Sequence, residues 1–394
     1  MSSSQRILTT HVGSLIRPDE LVAFLRKIHD GEPYDAEAFQ GCLKRSVAEV
    51  VRKQAEIGID IVSDGEFGKT VSWSRYILDR ISGFDERQEN NSGFRSSVAG
   101  KDRRDFADFY AEYERNFGFV GMGKNFKTGT FVISGPIKYT GQALIQRDIE
   151  DLKKAVAGQS VVNAFLPVVA PASVVPQHKD EYYNSPAEAL FAIADALREE
   201  YKAIVDAGLI AQIDDAFLAS VYDVMVPPQT LAEYRKWAEV RIEALNRALK
   251  GIPQERTRYH LCWGSWNGPH TNDVALKDIV DLVLRVNVGG YSLEMANPRH
   301  EHEWRVWEDV KLPEGKSLVP GLVSHATNVV EHPELVAERI VRLANLVGRD
   351  NVVASTDCGF AQGPFTRRVH PSIQWAKLSS LVEGARLASR DLWR

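Results

Sequence analysis

Short runs of apolar, β-branched residues alternate with longer amphipathic stretches along nearly the whole chain, and this alternation limits its fold more than any other feature. Strands separated by helices pack as neighbours in a parallel sheet. The apolar runs predict strands at Ile7–Val12, Ile59–Ser63, Val161–Ala170, Leu209–Ile213, Tyr259–Trp263, Tyr291–Met295, Leu318–Val323 and Asn351–Ser355. Helical periodicity predicts helices over Asp19–His29, Ala36–Ile57, Ala187–Ala207, Leu231–Leu249, Asn272–Arg285, Glu334–Leu346 and Pro371–Ser389. Ser185-Pro186 is a helix start, and Gly208 and Gly348 are helix ends. Eight strand units in 394 residues predict an α/β fold, a (β/α)8 TIM barrel forming one domain over residues 1–394.

The segment from about 83 to 139 interrupts the pattern. It is rich in charge and aromatics (Arg103-Arg104-Asp105-Phe106, Phe109-Tyr110, Tyr113), so it predicts an insertion after the second strand, helical in part, with a short strand or hairpin over Thr130–Tyr139. Val120-Gly121-Met122-Gly123-Lys124 does not complete a phosphate-binding loop, which argues against a nucleotide cofactor.

Charge and hydropathy exclude several classes. With 48 Lys and Arg against 53 Asp and Glu, and no basic patch, nothing favours a nucleic-acid partner. No apolar run approaches the roughly 18 to 20 residues that span a bilayer, and Met1–Thr10 lacks the apolar core of a secretory signal, so no membrane role and a cytoplasmic location are expected. Three widely spaced cysteines, Cys42, Cys262 and Cys358, do not form a disulfide framework. Cys42 falls within a helical pattern and reads as core.

Chemistry in such a barrel gathers where strands end and loops begin. The polar residues at predicted strand ends are His11, Ser14, Asp64, Glu66, Asp214, Asp215, His260, Cys262, Glu294, His325, Asp357 and Cys358. His260 and Cys262 are two apart and share a strand face. Glu294 follows Cys262 by 32 residues and Cys358 follows Glu294 by 64, about one and two strand-helix units, so all four can converge on one barrel mouth. Imidazole, two thiols and a carboxylate form a set suited to Zn²⁺. The competing reading is a core histidine with two ordinary buried thiols.

With these residues in view, the chain resembles the catalytic C-terminal half of cobalamin-independent methionine synthase, from Thr9 to about Ala388 apart from the insertion. The likeness rests on Thr9-Thr10-His11-Val12-Gly13-Ser14, Ser63-Asp64-Gly65-Glu66, Ala211-Gln212-Ile213-Asp214-Asp215, His260-x-Cys262, Glu294 and Thr356-Asp357-Cys358-Gly359. It implies a zinc barrel with His260, Cys262, Glu294 and Cys358 as ligands. It also implies that Ser14, Glu66 and Asp214 hold the amino-acid end of a homocysteine-like thiol, and it sets His325 near an acid/base position. The full-length enzymes carry a second, N-terminal half for which this chain leaves no room, so the likeness is to short single-barrel relatives.

The reaction so implied is zinc-dependent methyl transfer to a thiol, homocysteine giving methionine. Its partners are that small-molecule thiol and a methyl or alkyl donor, and a homo-oligomer is an allowed assembly. Two alternatives stand beside it: alkyl transfer to another thiol, as in epoxide-opening relatives, and a zinc-stabilised binding protein without catalysis. A sulfonate thiol would call for a cation such as Arg17 or Arg299. The dense polar string Arg299-His300-Glu301-His302 either contacts an anion, supplies a proton, or is a structural loop.

Overall fold

In the computed structural model of the protein, the described residues are 5–87, 100–117, 130–174, 178–365 and 367–394. Eight parallel strands lie side by side in the order β1 (Leu8–Thr9), β11 (Val353–Thr356), β10 (Ser317–Val323), β9 (Gly290–Leu293), β8 (Thr257–Leu261), β7 (Ile210–Asp215), β5 (Asn163–Val169) and β2 (Ile61–Ser63). The two ends of this row meet, since Asp60 N donates to Thr9 O (3.1 Å) and Thr10 Oγ1 donates to Ile61 O (2.9 Å). The ring is the expected (β/α)8 barrel with its helices outside.

Local chemistry explains the helices. Asp35 caps Ala36–Ile57 by accepting from Glu37 N and Ala38 N, and Gly58 ends it at φ +94°. Ser185 caps Pro186–Asp206, and a reciprocal Thr230–Glu233 pair opens Leu231–Leu249. Cys42 lies buried on the inner face of its helix. Among the described residues no helix is long and apolar enough to cross a membrane.

Polar side chains fill the barrel axis. Arg258 donates to Gln212 Oε1 (2.7 Å), Thr10 Oγ1 (3.0 Å) and His11 O (2.9 Å), with its guanidinium over the Phe165 ring. Gly13 N donates to His11 Nδ1 (3.1 Å), leaving His11 Nε2 to donate to Gln54 Oε1 (2.7 Å). His11 is therefore a structural hub beneath the mouth.

Several expectations change. The first strand is only Leu8–Thr9, because the chain turns away at Gly13 (φ +130°) to wall the mouth. The predicted helix Asn272–Arg285 contracts to a 3-10 turn, Leu276–Asp278, and one short helix, Val280–Val283. The chain at its start serves a loop instead: Thr271, just before the predicted helix, donates to Asp102, and Trp263 Nε1 donates to Val274 O (2.7 Å). The helix Gln142–Val156 was missed, although Ile145, Ile149 and Leu152 form its buried stripe.

Between β2 and that helix lies the inserted segment. Strands β3 (Phe84–Arg87), β4 (Thr130–Ile133) and β6 (His178–Asp180) make a small sheet, with β6 supplied by the loop after β5. Helices Lys101–Asp105 and Ala107–Phe117 follow β3. The glycine-containing stretch 120–124 lies outside the described residues.

Candidate metal and thiol site

The strand register places the site. Asp214 pairs with His260, and His260 with Ser292, across three adjacent strands. Cys262 follows the end of β8, Glu294 the end of β9, His325 comes shortly after β10, and Cys358 shortly after β11. All seven are buried.

His260, Cys262 and Cys358 form one group whose ligand atoms lie within 4.8 Å of one another. Cys262 Sγ is 3.5 Å from Cys358 Sγ, too far for a disulfide, and both thiols are free. Ser265 Oγ stands 3.1 Å from Cys358 Sγ. His260 Nδ1 meets Ser292 Oγ at 3.1 Å, whereas its Nε2 is buried with no hydrogen-bond partner. A buried imidazole nitrogen left open beside two thiols has the donor chemistry of a zinc site.

Glu294 stands next to this group but outside it. Its carboxylate accepts from Trp263 N (3.0 Å) and Asn297 Nδ2 (2.9 Å). Burial, with Asp357 and Cys358 nearby, raises its pKa to about 8. Asp357 clamps the same turn, accepting from Met295 N and Ala296 N (2.8 Å each). Asn297 and Ser265 were not singled out in the sequence, whereas Asp357 stood among the polar residues at predicted strand ends without a role of its own.

A cavity of about 460 Å³ opens above the thiols and reaches Ser14, Glu66 and Asp214 as well. Ser14 Oγ accepts from Ala361 N, tying the first strand end to the last. Glu66 sits at φ +62°, a costly backbone for a side-chain-bearing residue, and this turns its carboxylate into the interior. Burial raises the pKa of Glu66, partly offset by Lys69 with Nζ 3.5 Å away, and Oε2 has no hydrogen-bond partner. Asp214 is raised to about 7 by burial, and Gln212 Nε2 donates to its Oδ1 (2.7 Å).

The other predicted positions separate. His325 is buried with both ring nitrogens unpartnered, and burial lowers its pKa to about 4. It lines a second cavity of about 310 Å³ together with Glu294 and Asn297. Arg17 lines neither cavity; its Nη2 donates to Glu66 O (2.5 Å) and Lys69 O (3.2 Å). Arg299 is exposed, and its Nη2 donates to Thr271 O (2.7 Å). His300 is locked between Asp273 (3.0 Å) and Glu303 (2.9 Å), while His302 is exposed, so the polar string after Glu294 is held as structure at its centre. Among the described residues the cations lining the first cavity are Arg103, Arg241 and Arg368, none of which the sequence offered as an anion contact.

Comparison with known proteins agrees with this architecture. The family described as cobalamin-independent synthase, catalytic domain, matches residues 171–378. The chain is 23% identical to a methionine synthase of Saccharolobus solfataricus over 100% of its own length and 98% of that protein. It is 24% identical to the 2-hydroxypropyl-CoM lyase of Xanthobacter autotrophicus, covering 92% and 89%. The solved B12-independent methionine synthase from Shewanella sp. W3-18-1, in complex with selenomethionine, superposes with a TM-score of 0.71 at 20% identity, over 98% of this chain and 99% of that one, a likeness of fold. With its barrel, its strand-end residues and a family match over more than half its length, this chain belongs to the cobalamin-independent methionine synthase family.

Proposed function

We propose that the protein is a zinc-dependent thiol S-methyltransferase that converts homocysteine to methionine. The observation that carries this reading is the buried His260, Cys262 and Cys358 group, with His260 Nε2 unpartnered, at the base of the cavity that also holds Ser14, Glu66 and Asp214. His260, Cys262 and Cys358 would hold the metal, with Glu294 as the exchangeable fourth group. When bound, the metal supplies Lewis-acid stabilisation of a substrate thiolate near neutral pH.

The chain's own residues do the rest. Glu66 and Asp214, both in the cavity wall, face the substrate ammonium, and Ser14 orients the amino-acid end. In the transfer the thiol sulfur forms a bond to the methyl carbon, the bond from that carbon to the donor breaks, and the electron pair leaves with the donor. The thiol proton passes to solvent as the thiolate forms, and His325, which lines the adjoining cavity and has no hydrogen-bond partner, is the acid that protonates the leaving group. The test is zinc X-ray absorption with metal quantification, before and after L-homocysteine. A starting shell with two sulfurs that gains a third supports the reading; an unchanged shell, or no zinc, overturns it.

A second reading keeps the same centre and changes the thiol. Arg368 lines the cavity, donating Nε–H to Gln362 Oε1 (2.8 Å), and gives an anionic thiol such as a sulfonate a counter-charge. The similarity to a 2-hydroxypropyl-CoM lyase supports testing such a thiol beside homocysteine.

A further inference from the structure

The two cavities at the barrel mouth meet at one short stretch of chain, since Gly264 and Trp266 line both. The first holds the thiols and the second holds Glu294 and His325. Besides a glycine, Trp266 is the side chain that the two linings share, and its indole has a built seat. A Cβ on Gly264 would lie 2.0 Å from the indole, and one on Gly268 would lie 2.1 Å from Nε1, so both neighbours must be glycine for the ring to lie where it does. Gly264 also sits at φ +102°, where side chains are strained. The His270 ring packs against the indole with centroids 4.3 Å apart.

The inserted segment locks this seat. Trp266 Nε1 donates to Tyr110 Oη (3.1 Å), and Tyr110 Oη donates to Asp102 Oδ2 (2.9 Å). Asp102 also accepts from His270 N (3.3 Å), Thr271 N (3.0 Å) and Thr271 Oγ1 (2.6 Å), so it grips the loop on the far side of the ring. His270 itself lies at φ +54°, an uncommon backbone for its type, and its Nδ1 is 3.0 Å from Asp273. A loop that needs two glycines, one strained histidine and an acid from another element to present one indole is organised around that indole.

We infer that Trp266, latched by Tyr110 and Asp102 of the insertion, is a specificity-determining wall that limits the size of the group able to reach Cys262 and Cys358. Its removal joins the two cavities into one. This extends the proposed thiol reaction by naming what sets substrate size, and it rests on that reading for its consequence in turnover only.

The test labels the cysteines of the chelator-treated protein, kept reduced under anaerobic conditions, with iodoacetamide or with N-(1-pyrenyl)maleimide, and follows each cysteine by peptide mass spectrometry, with circular dichroism as the check on folding. In Trp266→Ala the bulky reagent is expected to react with Cys262 and Cys358 about tenfold faster, in the range of pocket-size discrimination, with iodoacetamide little changed. Tyr110→Phe should shift the bulky reagent the same way by less. An unchanged bulky rate, or equal acceleration of both reagents in a folded variant, overturns the wall. If Trp266→Ala does not fold, Tyr110→Phe decides: a bulky-selective rise supports the latch and an unchanged rate removes it. A parallel arm measures kcat/KM for homocysteine against a bulkier thiol. Absence of homocysteine turnover with the labelling pattern intact would remove the proposed function and leave the wall standing.

Discussion

Cys262 Sγ and Cys358 Sγ stand 3.5 Å apart although ninety-six residues separate them, and neither is bonded to the other. The contact acidifies one partner at the expense of the other: a hydrogen bond from Cys262 pulls Cys358 well below the usual thiol range, while the same contact and burial push Cys262 up. Cys262→Ala or Cys358→Ala is therefore expected to lose bound zinc and activity together. Metal analysis of the purified variants checks this, and an unchanged zinc content would sink the ligand assignment. Stripped of metal and treated with an added oxidant such as diamide, which takes up the two hydrogens, the wild-type pair should form a Cys262–Cys358 disulfide, seen as the loss of two hydrogen atoms in mass, while Cys42 stays reduced because it is buried in a helix away from both.

Binding of an ammonium-bearing thiol should depend on pH through Asp214. Its carboxyl is held protonated up to about pH 7 by burial, and only the charged form pairs with an ammonium. Affinity for homocysteine should thus rise from about pH 6 to about pH 7.5, and Asp214→Asn should flatten that rise while weakening binding by about 1–3 kcal/mol. Calorimetric titration across that range decides it; a pH-independent Kd in the wild type would remove Asp214 from the binding role.

His325→Ala should leave zinc content unchanged and lower kcat by about 10² to 10⁴, the usual reach of a proton-transfer group. The residue makes no hydrogen bond in the fold, so its loss should cost little stability. An unaltered kcat with a melting temperature well below wild type would reassign it to structure.

His11 offers a stability test of the opposite kind. Burial lowers its pKa to about 4, against 6.5 for an ordinary histidine, although its bond to Gln54 works the other way. The unfolded chain binds the proton first, so the stability His11 contributes is complete above about pH 6.5 and is lost as pH falls toward 4, up to about 3 kcal/mol. Asp64, raised to about 7 by burial, pulls in the other direction, because its folded form holds the proton there and the unfolded chain does not. The informative quantity is the difference in denaturant-unfolding free energy between wild type and His11→Asn, which should shrink as pH drops from about 6.5 to about 4. A difference independent of pH would contradict a neutral buried His11.

Asp102 carries the insertion's attachment, accepting four hydrogen bonds that reach three residues. Asp102→Ala should leave zinc bound and weaken substrate binding more than it lowers kcat, with faster proteolysis within residues 101–117. Loss of zinc in that variant would mean that the insertion supports the metal site itself.

The sequence alone carried the barrel, because every outer helix must bury a 3.6-period stripe and every strand must present apolar residues to those helices, patterns that survive without coordinates. It also carried the His260-x-Cys262 bite, since a two-residue spacing puts both on one face of a strand whatever surrounds it. The predicted helix after Asn272 failed for a tertiary reason: Thr271 and Val274 find partners in Asp102 and Trp263, which local periodicity does not register. Only the folded chain decided that His300 is clamped by Asp273 and Glu303, that Arg17 turns into backbone carbonyls instead of the cavity, and that Glu294 leans on Trp263 N and Asn297 beside the thiol pair. Those outcomes depend on which loops meet above the strands, a matter of contacts between residues far apart in the chain, whereas the strands and helices beneath answer to the residues next to them.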